Sequence, residues 1–401
     1  MMQRVSPNRL SILQVLEPSG GGSGRHFIDL CGALKERGHR VTAVYSPLRA
    51  EDRFLDELQA LGLPAVHAIS MRRAPGLSDL HSWQQLAGIL RREGPFDVVH
   101  AHSSKAGALS RIRLPGSHVP RVYTPHAFRT MDPTLGRAGR LVFGGIESLL
   151  GRHLSDCIIC VSQDEYDHAV SLGIPSRRLR TVINGTTPPP EGRRGDLLQR
   201  FDIPQEALVF GFIGRLSQQK APERLIEAFA RMAGALPAAH LLMIGFGELE
   251  TEVRAMIAAS GFADRIRLTS EITGRDAISC FDVLVMPSRY EAMSYVMLEA
   301  AAAGKPMILS RVGGAGRVLE DGRNGILIEN NDDPTALAQA MASFADGERR
   351  RAFAEEADAR KDRYALKTMV DGIEAIYCNL IDPRGARRTL NTSIGALAFD
   401  S

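Results

Sequence analysis

Strand-like and helix-like segments alternate twice along this chain, and a segment that can be neither separates the two runs. In the first run, apolar Ile12–Leu16 reads as a strand and leads into Gly20-Gly21-Gly22-Ser23-Gly24. A helical stretch follows from about Arg25 to Arg37, with Phe27, Leu30, Cys31 and Leu34 at helical spacing and Gly38 as its stop. Strands are expected at Arg40–Tyr45, Val98–Ala101, Arg121–Thr124 and Cys157–Val161. From Asn184 to Gly195 the chain carries three prolines and three glycines, so no element interior fits there. The alternation then restarts: strand Val209–Ile213, helix Pro222–Met232, strands His240–Ile244 and Val283–Met286, helix Ser294–Ala303 closed by Gly304, and strand Pro306–Ser310. Arg349 to Leu380 reads as helical, and the residues beyond Asp382 as an unstructured tail. Repeated strand–helix–strand units specify parallel, doubly wound sheets. The expected class is therefore α/β, with two Rossmann-like domains facing a cleft. The expected boundaries are residues 1–187, a linker at 188–200, a second domain at 201–370, and a helix end with a flexible tail at 371–401. Sheets of this kind bind ligands at the carboxyl ends of their strands.

Bulk properties narrow the class. The chain has 401 residues, 44% hydrophobic and 24% charged, enough to bury two cores. No apolar run approaches the roughly 20 residues that cross a bilayer. The start reads as a first strand rather than a signal peptide, which predicts a cytoplasmic protein. Five cysteines do not form a disulfide framework. Cys157 and Cys160 lie on one strand and point to opposite faces, which argues against metal or redox chemistry there. The net charge of +3 divides into +7 over residues 1–190 and −4 over the remainder. A basic first half could rest on an anionic surface. Its candidate contacts are Arg72-Arg73, Arg91-Arg92, Arg111, Arg113 and Arg137–Arg140.

Four segments carry chemistry. In Met286–Ala300, Glu291 and Glu299 bracket the start of a helix; a fully helical span would separate their backbones by about 12 Å, the reach of a nucleotide sugar. An intervening helix N-terminus would favour an anion. Spacing alone favours an ordinary acidic helix face. Gly214-Arg215-Leu216-Ser217-Gln218-Gln219-Lys220 follows a strand and puts two cations where a doubly wound sheet presents its ligand. Arg can grip phosphate oxygens as a fork, and Lys as a point charge. Thr124-Pro125-His126-Ala127-Phe128 places a histidine at another strand end. Gly20–Gly24 lets backbone approach a ligand at a helix start.

Taken together and in order, these pieces resemble glycosyltransferase family four, the retaining GT-B enzymes of bacterial polysaccharide assembly. The resemblance rests on Pro-Ser followed by Glu-x7-Glu, Gly-Arg-Leu…Lys, Thr-Pro-His, Val161-Ser162-Gln163-Asp164-Glu165 and Asn184-Gly185. It spans about Ser11 to Phe344. Val99–Gly107 and Val122–Phe128 are similar to the subset that builds O-antigen (lipopolysaccharide), capsule and exopolysaccharide.

The resemblance implies a UDP- or GDP-sugar donor, no cofactor, no nucleic acid, and a saccharide acceptor that is often lipid-linked. It implies that Arg215 and Lys220 bind the donor diphosphate, and that Glu299 holds the ribose. Glu291 would lie against the transferred sugar, with His126 near the reacting centre. Gly22, Met293 and Ser294 would line the donor, and Gly21, Gly22 and His102 the acceptor side. Catalysis would fall to His126, Glu291, Arg215 and Lys220. The chain departs from the family at Ala221, where Gly is usual, at Ala292-Met293, where Gly-Phe is usual, and at Ala315-Gly316-Arg317, where Pro-Glu tends to follow. No Asp-x-Asp is present to hold a metal on the diphosphate, so metal-independent activity is expected. An epimerase of the same architecture and a catalytically silent donor-binding partner stay open. A dehydrogenase does not, because Gly245-Phe246-Gly247 lacks the third glycine of the dinucleotide fingerprint.

Overall fold

A computed structural model describes residues 9–132, 135–188, 192–291 and 294–382. The chain divides into two compact units. One runs to Asn184 and resumes at Met369; the other is Gly185–Thr368.

The first unit is built on a seven-stranded sheet. Its strands are β1 (Ser11–Leu16), β2 (Arg40–Tyr45), β3 (Ala65–Ala68), β4 (Val98–His102), β5 (Arg121–Thr124), β6 (Cys157–Cys160) and β7 (Leu179–Thr181). Their order is β3-β2-β1-β4-β5-β6-β7, and every pairing is parallel. A sheet covered on both faces needs apolar residues at every position rather than at alternate ones. Accordingly β4, β5 and β6 are buried along their whole length.

The second unit has six strands: β8 (Leu208–Ile213), β9 (Ala239–Ile244), β10 (Ile266–Thr269), β11 (Val283–Met286), β12 (Met307–Ser310) and β13 (Gly325–Ile328). The order is β10-β9-β8-β11-β12-β13, again parallel. Two apolar clusters occupy its faces, one around Ile213, Leu284 and Met297, the other around Phe210, Phe229 and Val285. The GT-B expectation of two parallel-sheet α/β domains holds.

The boundaries fall differently from the sequence reading. Thr186 bridges to Ala365 and its amide donates to the Tyr364 carbonyl, so residues 185–187 join the second unit. Arg194–Arg200, expected as linker, is a helix that buries Leu197 and Leu198. Arg194 anchors it to Asp282 at 3.0 Å. The long helix expected over 349–380 is two helices, Gly347–Asp358 and Leu366–Ile381. The break lies at Ala365, whose backbone is extended and pairs with Thr186. The second helix carries the chain back to the first unit, where the Tyr377 hydroxyl lies between Gln14 Nε2 (3.0 Å) and His100 Nδ1 (2.6 Å). Nothing in its own spacing announced that partner. The tail expected past Asp382 lies outside the described residues.

Candidate functional site

In the second unit the predicted residues gather at the carboxyl ends of β8 and β11. The chain leaves β8 through Gly214 and turns at Ser217, whose carbonyl accepts from the amides of Lys220 and Ala221. Lys220 Nζ donates to Glu291 Oε1 at 2.5 Å. The two side chains are only 15% and 7% exposed, so the pair sits where charge is weakly screened. Three further bonds stitch its two loops together. The Arg289 amide donates to Gln219 O (2.8 Å), Arg289 Nη1 to Gln218 O (2.7 Å), and Gln219 Nε2 to Tyr290 O (3.1 Å). Arg289 is itself held by Glu223 and Asp332.

The other expected donor residues lie on the same strand-end loops and on the helix that follows β11. Arg215 is exposed and makes no side-chain bond among the described residues. Ser294 is buried and caps Tyr295–Ala302; Glu299 lies in that helix, half-buried. The helix starts after Glu291, so the 291–299 span is not helical throughout as the spacing argument assumed. Met293 lies outside the described residues. Ala221 caps the next helix in the left-handed conformation, φ 49° and ψ 52°. That is a backbone state glycine adopts without strain, which explains physically why glycine suits this position. Arg317 is exposed on the short helix after β12. Gly245 and Gly247 serve packing: side chains there would meet Gly214 O and Leu216 O.

In the first unit four histidines converge at the carboxyl ends of β4 and β5. His102 Nδ1 lies 3.1 Å from His126 Nε2, and His102 Nε2 lies 2.8 Å from Gln14 Oε1. His26, on the helix Gly21–Glu36, bonds Asn184 Oδ1 through Nδ1 at 3.0 Å, and its Nε2 has no partner. His100 uses Nε2 on Thr124 and Nδ1 on Tyr377. Burial lowers the pKa of His26 to about 4, and the Asn184 bond offsets part of that fall. Burial first, and then neighbouring rings, holds His100, His102 and His126 well below the usual value. All four are therefore neutral near neutral pH.

His126 and Ala127 both have positive φ, 53° and 75°. Such consecutive left-handed residues persist only where their surroundings enforce them. Glu165 is the restraint: Oε1 accepts from the Ala127 amide (2.6 Å) and Oε2 from the Val161 amide (2.7 Å). Its own burial raises its pKa to about 7 against the opposing pull of those two amides. Gly21 opens its helix with φ 57°, and its amide donates to Glu51 Oε1 at 3.1 Å. Gly21 and Gly22 are both exposed.

The structure brings together His102 with His126 and Lys220 with Glu291, each of which the sequence had singled out separately. Sequence reasoning gave no role to His26, Gln14, Asn184, Glu165 or Arg289. Glu165, Asn184 and Arg289 do lie in the Val161–Glu165, Asn184-Gly185 and Met286–Ala300 segments, which is the available signal. Gln14 and His26 offered none, because their partners lie far away in the chain.

Two family models cover most of the chain. Residues 20–188 match Glycosyltransferase Family 4, and residues 207–346 match Glycosyl transferases group 1. The chain is a member of glycosyltransferase family four. Among the relatives of this family member is D-inositol 3-phosphate glycosyltransferase of Geodermatophilus obscurus, 28% identical over 92% of this chain and 89% of that one. Another is the Escherichia coli UDP-Gal:alpha-D-GlcNAc-diphosphoundecaprenol alpha-1,3-galactosyltransferase, 27% identical over 69% of this chain and 72% of that one. The family fold is shared with the crystal structure of Anabaena HepE in complex with UDP and glucose: TM-score 0.74, 20% identity, 92% of this chain and 99% of that one.

Proposed function

We propose that this glycosyltransferase moves a sugar from a nucleotide-diphosphate sugar to a lipid-linked saccharide, with retention, in cell-surface polysaccharide synthesis. The Lys220–Glu291 pair carries the reading. An ammonium has three donors, and Glu291 uses one. Among the described residues the other two have no partner, and phosphate oxygens can take them. Breaking the anomeric C–O bond builds negative charge on the departing diphosphate and positive charge on the sugar ring. Lys220 and Arg215 meet the first and Glu291 the second. These contacts strengthen as charge develops, which is what lowers a barrier. Glu299 would hold the ribose, with Ser294 and Gly22 beside the donor. His126, on its restrained turn, would contact the sugar near the reacting carbon. His102 and Gly21 would border the acceptor. Attack from the face the diphosphate leaves gives retention without a covalent enzyme intermediate.

Relatives support a nucleotide sugar: the E. coli galactosyltransferase is named for UDP-Gal, and HepE was crystallised with UDP. They divide over the acceptor, since several are inositol-phosphate enzymes. A surface feature of the first unit favours lipid. Along Arg137–His153 the side chains of Leu141, Val142, Ile146 and Leu149 are exposed, with Arg137 and Arg140 at one end and Arg152 and His153 at the other. An exposed apolar stripe with flanking cations suits an anionic bilayer surface. No helix among the described residues is long and apolar enough to cross a membrane.

The test is transfer from UDP- and GDP-sugars to a diphosphoundecaprenol-linked saccharide and, separately, to inositol 3-phosphate. Transfer to the lipid-linked acceptor with retained configuration is expected. Exclusive use of inositol 3-phosphate would replace the acceptor assignment. Donor isomerisation or release without any acceptor would replace the transferase reading with an epimerase. Donor binding without turnover would favour a silent partner.

A further inference from the structure

We propose that His26, His102 and His126 form a binding site for one divalent transition ion of the Zn2+ class. Their ligand atoms all lie within 4.8 Å of one another. The His102–His126 nitrogen separation of 3.1 Å is already close to the value, about 3.4 Å, that two imidazoles adopt on a tetrahedral zinc with bonds of 2.0–2.1 Å. A modest approach of the His26 ring completes a three-histidine face.

Tautomers decide whether three nearby rings can be ligands. An amide oxygen only accepts, so His26 Nδ1 carries a hydrogen toward Asn184 Oδ1, and His26 Nε2 is a bare lone pair. That atom is fully buried and unpartnered. The same logic fixes His102. Gln14 gives its NH2 to Tyr377 and its oxygen to His102 Nε2, which leaves His102 Nδ1 bare. His26 and His102 thus each keep one lone pair free and are held at the other nitrogen by a carbonyl oxygen. That is the outer-shell arrangement of histidines that ligate metals. His100 is excluded, because Thr124 and Tyr377 occupy both of its nitrogens.

Without an ion, His126 Nε2–H fills the gap by donating to His102 Nδ1. Metal entry exchanges that one hydrogen bond for three coordinate bonds, and the proton shifts to His126 Nδ1. All three rings are neutral, so no charge need be expelled. His126 is partly exposed and provides the way in. A fourth position stays open for water. Because His126 would then face the metal instead of a sugar, the ion acts as a reversible inhibitor rather than a cofactor. The inhibition rests on the role proposed for His126; the binding does not.

The experiment uses the full chain, stripped with EDTA and dialysed. Zn2+ titrated by calorimetry should bind at one equivalent, and Co2+ should give the intense visible bands of tetrahedral coordination. His26→Gln should abolish both. Asn184→Ala, which removes only the carbonyl behind His26, should weaken Zn2+ binding by about 10–100-fold. Far-UV circular dichroism checks that each variant is folded. Absence of one-equivalent binding in the native chain, or its survival unchanged in both variants, overturns the site. In the transfer assay, Zn2+ should inhibit at the concentration that fills the site, with recovery on adding EDTA. Full activity with the site occupied leaves the metal site standing and removes His126 from the reaction.

Discussion

Lys220 and Glu291 lie seventy-one residues apart in sequence and meet at 2.5 Å on two cross-linked strand-end loops. Each is held in place by the other, and under the proposed role this is preorganisation, where electrostatic catalysis gains most. Lys220→Ala removes the buried cation and leaves Glu291 without its partner. Turnover should fall by about 10²-fold or more, the scale of losing one preorganised contact. Initial rates at saturating donor check this. Near-native turnover would remove Lys220 from the leaving-group site.

Arg215 and Lys220 also bear on metal dependence. The chain has no Asp-x-Asp, and the proposed site answers the diphosphate charge with these protein cations. Transfer should therefore persist in EDTA. A complete loss reversed by Mg2+ would show that a metal carries that charge instead.

Glu165 restrains the His126 turn, and its titration gives that restraint a pH signature. Its folded pKa of about 7 lies above the ordinary 4.5. Between those values the folded state holds a proton that the unfolded state has lost. Stability from this group is present at low pH and declines as pH rises through the window, by at most about 1.4 kcal/mol per pH unit. Glu165→Gln cannot titrate, and its NH2 opposes one of the two backbone amides. The native-minus-variant difference in unfolding free energy should shrink from pH 4.5 to 7 and level off above. Denaturant melts across that range decide it; parallel curves would mean that Glu165 does not change charge there.

Much of this was legible in the sequence because parallel sheets write themselves as apolar runs followed by glycine-marked turns. β2, β5 and β11 fall where periodicity put them. β3, β7, β10 and β13 did not stand out, since each is three or four residues long and several are only partly buried. Strand-end motifs located Lys220, Glu291 and His126. Their supports stayed hidden for one physical reason: Gln14–Tyr377, His26–Asn184 and Ala127–Glu165 are bonds between distant chain segments, and no local spacing encodes them.

Two buried alanines test the reading of the Ala221 departure. Both Ala221 and Ala228 are fully buried, yet only Ala221 has positive φ. Glycine at 228, inside the helix Pro222–Ala233, should cost about 2 kcal/mol from propensity and a lost methyl. Glycine at 221 loses the same methyl but relieves about 1–2 kcal/mol of left-handed strain, so its net cost should be near zero. Chemical denaturation of Ala221→Gly and Ala228→Gly measures both. Equal costs would contradict the left-handed conformation.

The exposed stripe on Arg137–His153 makes the membrane reading testable apart from catalysis. Leu141 is 78% exposed and Leu149 60%, so replacing them removes no core contact. Burying one leucine in a bilayer interface is worth at most about 1.5–3 kcal/mol, and each nearby arginine about 1 kcal/mol on an anionic leaflet. The native chain should float with vesicles containing anionic lipid and far less with neutral ones. Leu141→Asp with Leu149→Asp should reduce that binding by at least about tenfold while leaving the unfolding midpoint unchanged. Arg137→Glu should instead make the residual binding less sensitive to salt, because fewer charge contacts remain to be screened. Equal, negligible flotation with both vesicle types would leave the stripe without its proposed lipid partner, and would shift the acceptor question toward a soluble phosphorylated polyol.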